Sequence, residues 1–219
     1  MTSRTANLIC LVIVVLATAA SAYFYSSLPE QVPIHWNAAG EVDGYGSKLM
    51  GALFGPGLAL FTWGLIWVIP KISPKGFGTG EFSDVLQIIQ VALVAFMAGI
   101  GAMILMAGLG HQPSVQHIVP VAVGALLVLL GNYMGKVRKN FFVGIRTPWT
   151  LASDEVWSRT HRLAGYLFVA AGLGMMVSSL FKAKVVLMAG LPLVAALVPV
   201  AYSYFAYRKL EGFDHDATS

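Results

Sequence analysis

A short polar segment after the first long apolar run gathers side chains that can bind a ligand. His35, Trp36 and Asn37 place an imidazole, an indole and an amide side by side, and Asp43 follows after a turn that contains Gly40. An imidazole with a nearby carboxylate can hydrogen-bond a peptide or hold a metal ion. The same residues also suit a tightly folded cap, in which the His and Asn side chains bond their own backbone. We predict His35, Trp36, Asn37 and Asp43 as ligand-binding residues.

A second polar segment, residues 136–161, follows the fourth apolar run. Its basic residues Lys136, Arg138 and Lys139 fit a positively charged membrane edge, so one interpretation is a basic and aromatic anchor. An anchor needs only positive charge and aromatic bulk, whereas this segment also carries specific amide, glycine, proline and histidine positions. We therefore predict a signalling or gating site formed by Asn140, Gly144, Arg146, Thr147, Pro148, Trp149, Trp157 and His161.

The same segment predicts the start of a helix. Pro148 ends one stretch, and Thr150 or Ser153 can cap the helix that follows. Glu155 and Arg159 are spaced i,i+4 and are expected to pair.

Two expectations concern side-chain partners in this helix. Trp157, His161 and Gly165 should share one of its faces. If Arg146 does more than supply positive charge, we expect it to clamp a carboxylate such as Asp154, or helix-end carbonyls.

The composition indicates a membrane protein. The chain has 219 residues, of which 57% are hydrophobic and 11% are charged, whereas a soluble domain carries about 25% charged residues. Within lipid, backbone polar groups must pair internally, and long unalternated apolar runs then form helices. The single cysteine, Cys10, lies in the first run and is expected to act as a small core residue.

Stretches without Asp, Glu, Lys or Arg define the predicted spans. A helix of about 20 residues crosses the bilayer, so the uncharged stretch 85–135 is too long for one crossing. The polar patch 111–117 divides it. Six spans follow, at about 7–27, 50–70, 84–109, 117–135, 161–181 and 185–207. We expect the first span to be retained, because its apolar run is long for a signal peptide.

The distribution of positive charge predicts the orientation. With the N-terminus inside, Lys48, Lys182 and Lys184 lie outside. The other 11 of the 14 basic residues lie in cytoplasmic segments: Arg4, Lys71, Lys75, Lys136, Arg138, Lys139, Arg146, Arg159, Arg162, Arg208 and Lys209. We predict an all-α, six-span protein of the cell membrane with both termini cytoplasmic. The segment with His35 is then external and the segment with Arg146 cytoplasmic.

The two polar segments resemble known signatures. Pro33–Asn37 with Gly40, Asp43 and Gly44 resembles the P-x-H-[FW]-N-x-x-G-x-x-D-G signature of a small membrane domain of unknown function. The C-terminal half resembles the SdpI family, through Gly131–Met134, Asn140–Thr150, Val156-Trp157 and Thr160-His161. We accordingly expect an N-terminal helical hairpin with the external loop at 1–70 and an SdpI-like four-helix region at 71–219.

The resemblance to the SdpI family implies a function. That family contains the immunity protein that protects bacilli from their own secreted cannibalism toxin. The implied partners are a toxin peptide on the external side, the lipid bilayer and, as in the best-known system, a cytoplasmic transcriptional repressor sequestered at the membrane. No block of like charges points to nucleic-acid binding.

Other classes of function stay open. A secondary transporter or channel-like carrier usually needs an ionisable residue deep in the membrane, and the nearest polar groups here are amides such as Gln87, Gln90 and Asn132. A metal-dependent membrane hydrolase is the third class, but the sequence has no H-E-x-x-H or G-x-S-x-G motif. His111 and His117 are too scattered to predict a metal site with His35. We expect a non-enzymatic protein without a cofactor.

Overall fold

The protein is mostly helical. The computed structural model describes residues 1–181 and 185–213, with 185–188 as backbone only. The helices are α1 (Ser3–Phe24), α2 (Lys48–Ile72), α3 (Ser83–Gly108), α4 (Val115–Met134), α5 (Pro148–Ala152), α6 (Asp154–Leu180) and α7 (Val185–Leu210). Within the described residues, every one of these except the five-residue α5 is long and apolar enough to cross a membrane, which makes six spans. The chain is therefore a multi-pass membrane protein, as the sequence predicts.

Helix ends differ from the predicted bounds mainly at α6. It begins at Asp154, before the predicted span at 161, because the Ser153 hydroxyl accepts from the Val156 N–H and caps it, which confirms one of the two caps that the sequence predicts. Asp154 and Glu155 then occupy the first turn, where the helix dipole favours negative charge. Lys182 and Lys184, which enter the orientation argument, lie outside the described residues.

A two-stranded antiparallel hairpin is added to the helical fold. Strands β1 (Gln31–Trp36) and β2 (Val42–Ser47) join α1 to α2, where the sequence predicts only a loop. Gly40 at the turn has φ 77°, a conformation that suits glycine. Val32 is fully buried within a cluster of Leu28, Ala52, Ile104 and Leu105, and this burial fixes the hairpin on the ends of its helices.

The first of two compact units contains residues Met1–Val68 and Leu86–Ala122. Its helices α2 and α3 approach closely, because a Cβ added to Gly55 would lie 2.5 Å from the Gly101 Cα. A polar contact crosses three helices: the Asn7 side-chain oxygen accepts from Trp63 Nε1 at 2.8 Å and from Gln90 Nε2 at 3.1 Å.

The second unit contains residues Ile69–Val85 and Val123–Ser219. Helices α4 and α6 pack through glycines, since a Cβ on Gly131 would lie 2.7 Å from the Gly165 carbonyl oxygen. Small residues allow such close approach between helices in a bilayer. The expected division between 1–70 and 71–219 stays a prediction.

Candidate functional site

Asn37 builds the turn of the hairpin. Its side-chain oxygen accepts from the backbone N–H groups of Ala39 (2.8 Å) and Glu41 (3.0 Å), and its amide nitrogen donates to the Glu41 carboxylate at 3.0 Å. The Gln116 side chain also donates to the Ala39 carbonyl. Asn37 therefore uses most of its side-chain hydrogen-bonding capacity to stabilise the turn.

Trp36 is a packing residue of the same hairpin. It is half-buried and lies against the cluster that contains Leu28, Val32 and Ile104. Together with Asn37, it supports the shape of the hairpin. Of the four residues predicted to bind a ligand, these two act mainly on the hairpin itself in this structure.

His35 and Asp43 form an exposed pair on the hairpin. His35 Nδ1 and Asp43 Oδ1 are 2.5 Å apart, and the two side chains are 70% and 43% exposed. The pair offers an imidazole and a carboxylate to solvent at one point, which suits recognition of a polar or charged group on a peptide. Among residues 1–181 and 185–213, no three His, Cys, Asp or Glu side chains are grouped to hold a metal ion.

Asn140 organises the loop between α4 and α5. It is fully buried, and its side-chain oxygen accepts from the N–H groups of Phe142 (2.8 Å) and Val143 (2.7 Å). Its amide nitrogen donates to the carbonyls of Arg138 (2.8 Å) and Val143 (3.0 Å). One side chain thus satisfies four backbone groups, and a shorter or apolar residue would leave them unpaired.

His161 binds this loop to α6. It is 1% exposed, its Nε2 accepts from the Ile145 N–H at 3.0 Å, and its Nδ1 lies 2.9 Å from the Trp157 carbonyl oxygen. The two partners set a neutral imidazole with the proton on Nδ1, because a second ring proton would face the Ile145 N–H. We call the loop 138–147, held by Asn140 and His161, the clasp.

Trp157 of α6 and Gly144 of the clasp both lie against the His161 ring. The Trp157 ring stacks on the His161 ring with centroids 4.0 Å apart, and its Nε1 donates to the Val137 carbonyl at 2.7 Å. Gly144 has φ 107°, and a Cβ there would collide with His161 Nε2. Trp157, His161 and Gly165 are all buried, which confirms that they share a face of α6.

Thr147, Pro148 and Trp149 connect the clasp to helix α7. Thr147 caps α5 in a reciprocal box with Thr150, and Pro148 occupies the first turn. The Thr147 hydroxyl lies 3.0 Å from that of Ser203, and the Trp149 ring meets the Tyr204 ring edge-on at 5.1 Å. The clasp therefore contacts α6 directly and α7 through its C-terminal end.

Arg146 does not pair with Asp154. Asp154 instead lies 2.6 Å from the Lys139 ammonium, and the exposed Arg146 guanidinium donates to the Phe141 carbonyl within the clasp. The expected carboxylate clamp is thus wrong for Asp154, because the neighbouring Lys139 reaches that carboxylate. The Glu155–Arg159 pair is confirmed at 2.6 Å.

Sequence reasoning missed several partners of the site. Ser203 is fully buried on α7, and Glu211 accepts from the Ser153 hydroxyl at 2.7 Å. An isolated serine in an apolar span signals a buried partner, whereas nothing in the sequence indicates which hydroxyl it meets. A cleft of about 690 Å³ also opens between the glycine-rich segment 76–80 and the start of α6. Three alternate glycines in that segment are the signal that could have indicated it.

Two protein-family models match the parts of the chain that contain the clasp and the hairpin. A model of the SdpI/YfhL protein family matches residues 136–203, which include the whole clasp. A model of a domain of unknown function, DUF1648, matches residues 12–60, which include the hairpin. No solved structure matches the chain.

One curated relative matches the chain almost from end to end. The Immunity protein SdpI of Bacillus subtilis (strain 168) is 28% identical over 217 residues, which cover 94% of this chain and 98% of the relative. Both the C-terminal family match and this similarity include the clasp, helix α6 and most of helix α7. The chain therefore contains a region of the SdpI/YfhL protein family at residues 136–203 and a DUF1648 domain at residues 12–60, and it is similar along nearly its whole length to an immunity protein.

Proposed function

We propose that this chain is a membrane immunity protein that protects its cell by recognising a secreted toxin peptide. The observation that carries the proposal is the end-to-end similarity to the Immunity protein SdpI. The role proposed here is binding and signalling, without catalysis. This role needs one surface that binds the peptide and a second surface that transmits the signal of binding.

The hairpin is the proposed recognition surface, within the region 1–70. His35 and Asp43 are exposed and paired, so both can exchange their mutual bond for bonds to a ligand. Trp36 and Asn37 contribute indirectly, because they hold the strands and the turn in place. We propose that the peptide contacts the first two residues and depends on the other two for their presentation.

The clasp is the proposed signalling surface, within the region 71–219. It connects the end of α4 to α6 through His161 and is linked to α7 through Thr147 and Ser203. A displacement of any of these helices would therefore move the clasp. Its exposed Arg146 is the side chain that we propose to present to a cytoplasmic partner, such as a transcriptional repressor held at the membrane.

The proposal is tested by survival of cells that lack or carry this gene. Cells would be exposed to the secreted toxin peptide of a strain that encodes an SdpI-type immunity protein. We expect protection by the wild-type chain and reduced protection by His35→Ala and Asp43→Ala at equal membrane abundance. Gln31→Ala is the matched control, since Gln31 is an exposed residue of the same hairpin.

The outcomes separate the two parts of the proposal. Failure of the wild-type chain to protect would refute the immunity function against that peptide. Full protection by both hairpin variants would refute recognition by His35 and Asp43, while leaving the immunity function in place.

A further inference from the structure

A groove of about 200 Å³ runs between α4 and α6 in the second unit. Its chemistry changes along its length. Arg162 and Asn132 are exposed polar groups toward one end, and Val169, about two turns further along α6, supplies an apolar wall. A groove that is cationic at one end and apolar along its floor matches the two parts of a phospholipid.

The depth of the polar end follows from the length of α4. This helix has 20 residues, and at about 1.5 Å per residue it is about as long as the hydrocarbon core is thick. Its last residue, Met134, therefore marks an edge of that core. Arg162 lines the groove beside Gly135, the next residue after α4, so its guanidinium is placed at the level of lipid headgroups.

Arg162 lacks an internal counter-charge in the described part of the chain, where it forms neither an ion pair nor a hydrogen bond. Its neighbour Arg159, three residues earlier, is neutralised by Glu155 at 2.6 Å. A guanidinium presents a planar fork of donors that matches phosphate oxygens. At this depth, phosphate is the anion that the bilayer itself supplies.

The floor of the groove is made by glycines. Gly131 and Gly165 face each other so closely that a Cβ on either residue would lie within 2.8 Å of the other's carbonyl oxygen. Tyr166, 70% exposed, lies one turn deeper than Arg162, as expected of an interfacial aromatic. The two helices thus touch at the bottom of the groove, and an acyl chain can lie along the groove on the bilayer side of the two glycines, below the guanidinium.

We propose that this groove is a binding site for one anionic membrane phospholipid, with its phosphate on Arg162 and an acyl chain along Gly131, Gly165 and Val169. In the predicted orientation, the site opens to the cytoplasmic leaflet, where anionic lipids attract basic residues. The proposal is independent of toxin recognition. It makes Arg162 a ligand-binding residue, beyond its contribution to the positive-inside rule.

Native mass spectrometry of the full chain in detergent tests the site, with phosphatidylglycerol and phosphatidylcholine added at equal concentration. We expect preferential binding of phosphatidylglycerol. Arg162→Gln should weaken that binding about tenfold, which corresponds to about 1.4 kcal/mol for a charge-assisted hydrogen bond. Arg159→Gln removes the same charge from the same helix outside the groove and should bind like the wild type.

Arg162→Lys keeps the charge without the fork and should give intermediate binding, so it tests the site even where the variant Arg162→Gln is poorly folded. Equal binding of the two lipids, or equal loss in Arg159→Gln and Arg162→Gln, would overturn the proposal. Competition by inorganic phosphate at equal concentration would also overturn it, because the site would then recognise a free anion.

Discussion

The backbone N–H of Ile145 donates to Nε2 of His161 across 3.0 Å, and this bond closes the clasp against helix α6. The two residues are 16 positions apart in the sequence, so the bond holds the loop against helix α6, which follows it in the chain. Because His161 is buried and also bonds the Trp157 carbonyl, its ring has one orientation. The rest of the clasp is positioned from this point.

Gly144→Ala should open the clasp. Gly144 has φ 107°, and an added methyl group would collide with His161 Nε2. Backbone strain of this kind costs about 1–3 kcal/mol, and the collision adds to it. The expected result is a lower midpoint of thermal unfolding in detergent.

Gly64→Ala is the matched control for that measurement. Gly64 lies in α2 and a Cβ there would meet nothing within 4 Å. Because alanine favours a helix, its midpoint should be unchanged or slightly raised. Equal midpoints for Gly144→Ala and Gly64→Ala would show that the clasp does not contribute to stability.

His161→Phe separates hydrogen bonding from packing. Phenylalanine keeps a ring that can stack on Trp157 but cannot accept from the Ile145 N–H. An unsatisfied buried donor costs about 1–3 kcal/mol, so we expect lower stability and faster amide exchange at Ile145. His161→Leu should be less stable still, because it also loses the stacked ring. If His161→Phe is as stable as the wild type, the ring stacking on Trp157 contributes the stability and the hydrogen bond from Ile145 does not.

The helices could be predicted from the sequence because their cause is local. An uncharged, unalternated apolar stretch that is long enough to cross a bilayer forms a helix, which pairs its own backbone groups, and the six spans follow from this. The shared face of Trp157 and His161 also follows from helix periodicity. The hydrogen-bond partners of those side chains, Ile145 and Val137, could not be predicted. Both lie in the segment between α4 and α5, and its conformation depends on these same hydrogen bonds.

The hairpin shows the same limit. The turn at Gly40 could be predicted, but pairing of β1 with β2 depends on burying Val32 between helices that are distant in sequence. Asp154 as the partner of Arg146 was wrong for a similar reason. Charge and spacing allowed Asp154 to pair with either Arg146 or Lys139, and only the folded loop selects Lys139.

Arg146→Lys tests whether the exposed guanidinium has a specific role. Its bond to the Phe141 carbonyl lies at the surface, so thermal stability should change by less than about 0.5 kcal/mol. Under the proposed signalling role, protection or repressor signalling should fall, because lysine lacks the donor fork. Arg159→Lys is the control on a neighbouring exposed residue. Full activity of Arg146→Lys would return Arg146 to a purely anchoring role.

The proposed roles require the hairpin and the clasp to face opposite sides of the membrane. Three spans, α2, α3 and α4, separate them along the chain, so an odd number of crossings lies between them. The excess of Lys and Arg in alternate segments predicts that the hairpin is external. Single cysteines at the exposed positions Ala38 and Ala152 report on this directly.

Both cysteines would be placed in a Cys10→Ala background, because Cys10 is the single native cysteine. It is buried beside Ala59 and Val94, so alanine should be tolerated there. In intact cells, an impermeant thiol reagent should label Ala38→Cys, and Ala152→Cys should react only after the membrane is permeabilised. The reverse pattern would invert the topology and place His35 and Asp43 in the cytoplasm, where they could not meet a toxin peptide arriving from outside. Labelling of both in intact cells would contradict the odd number of crossings between them.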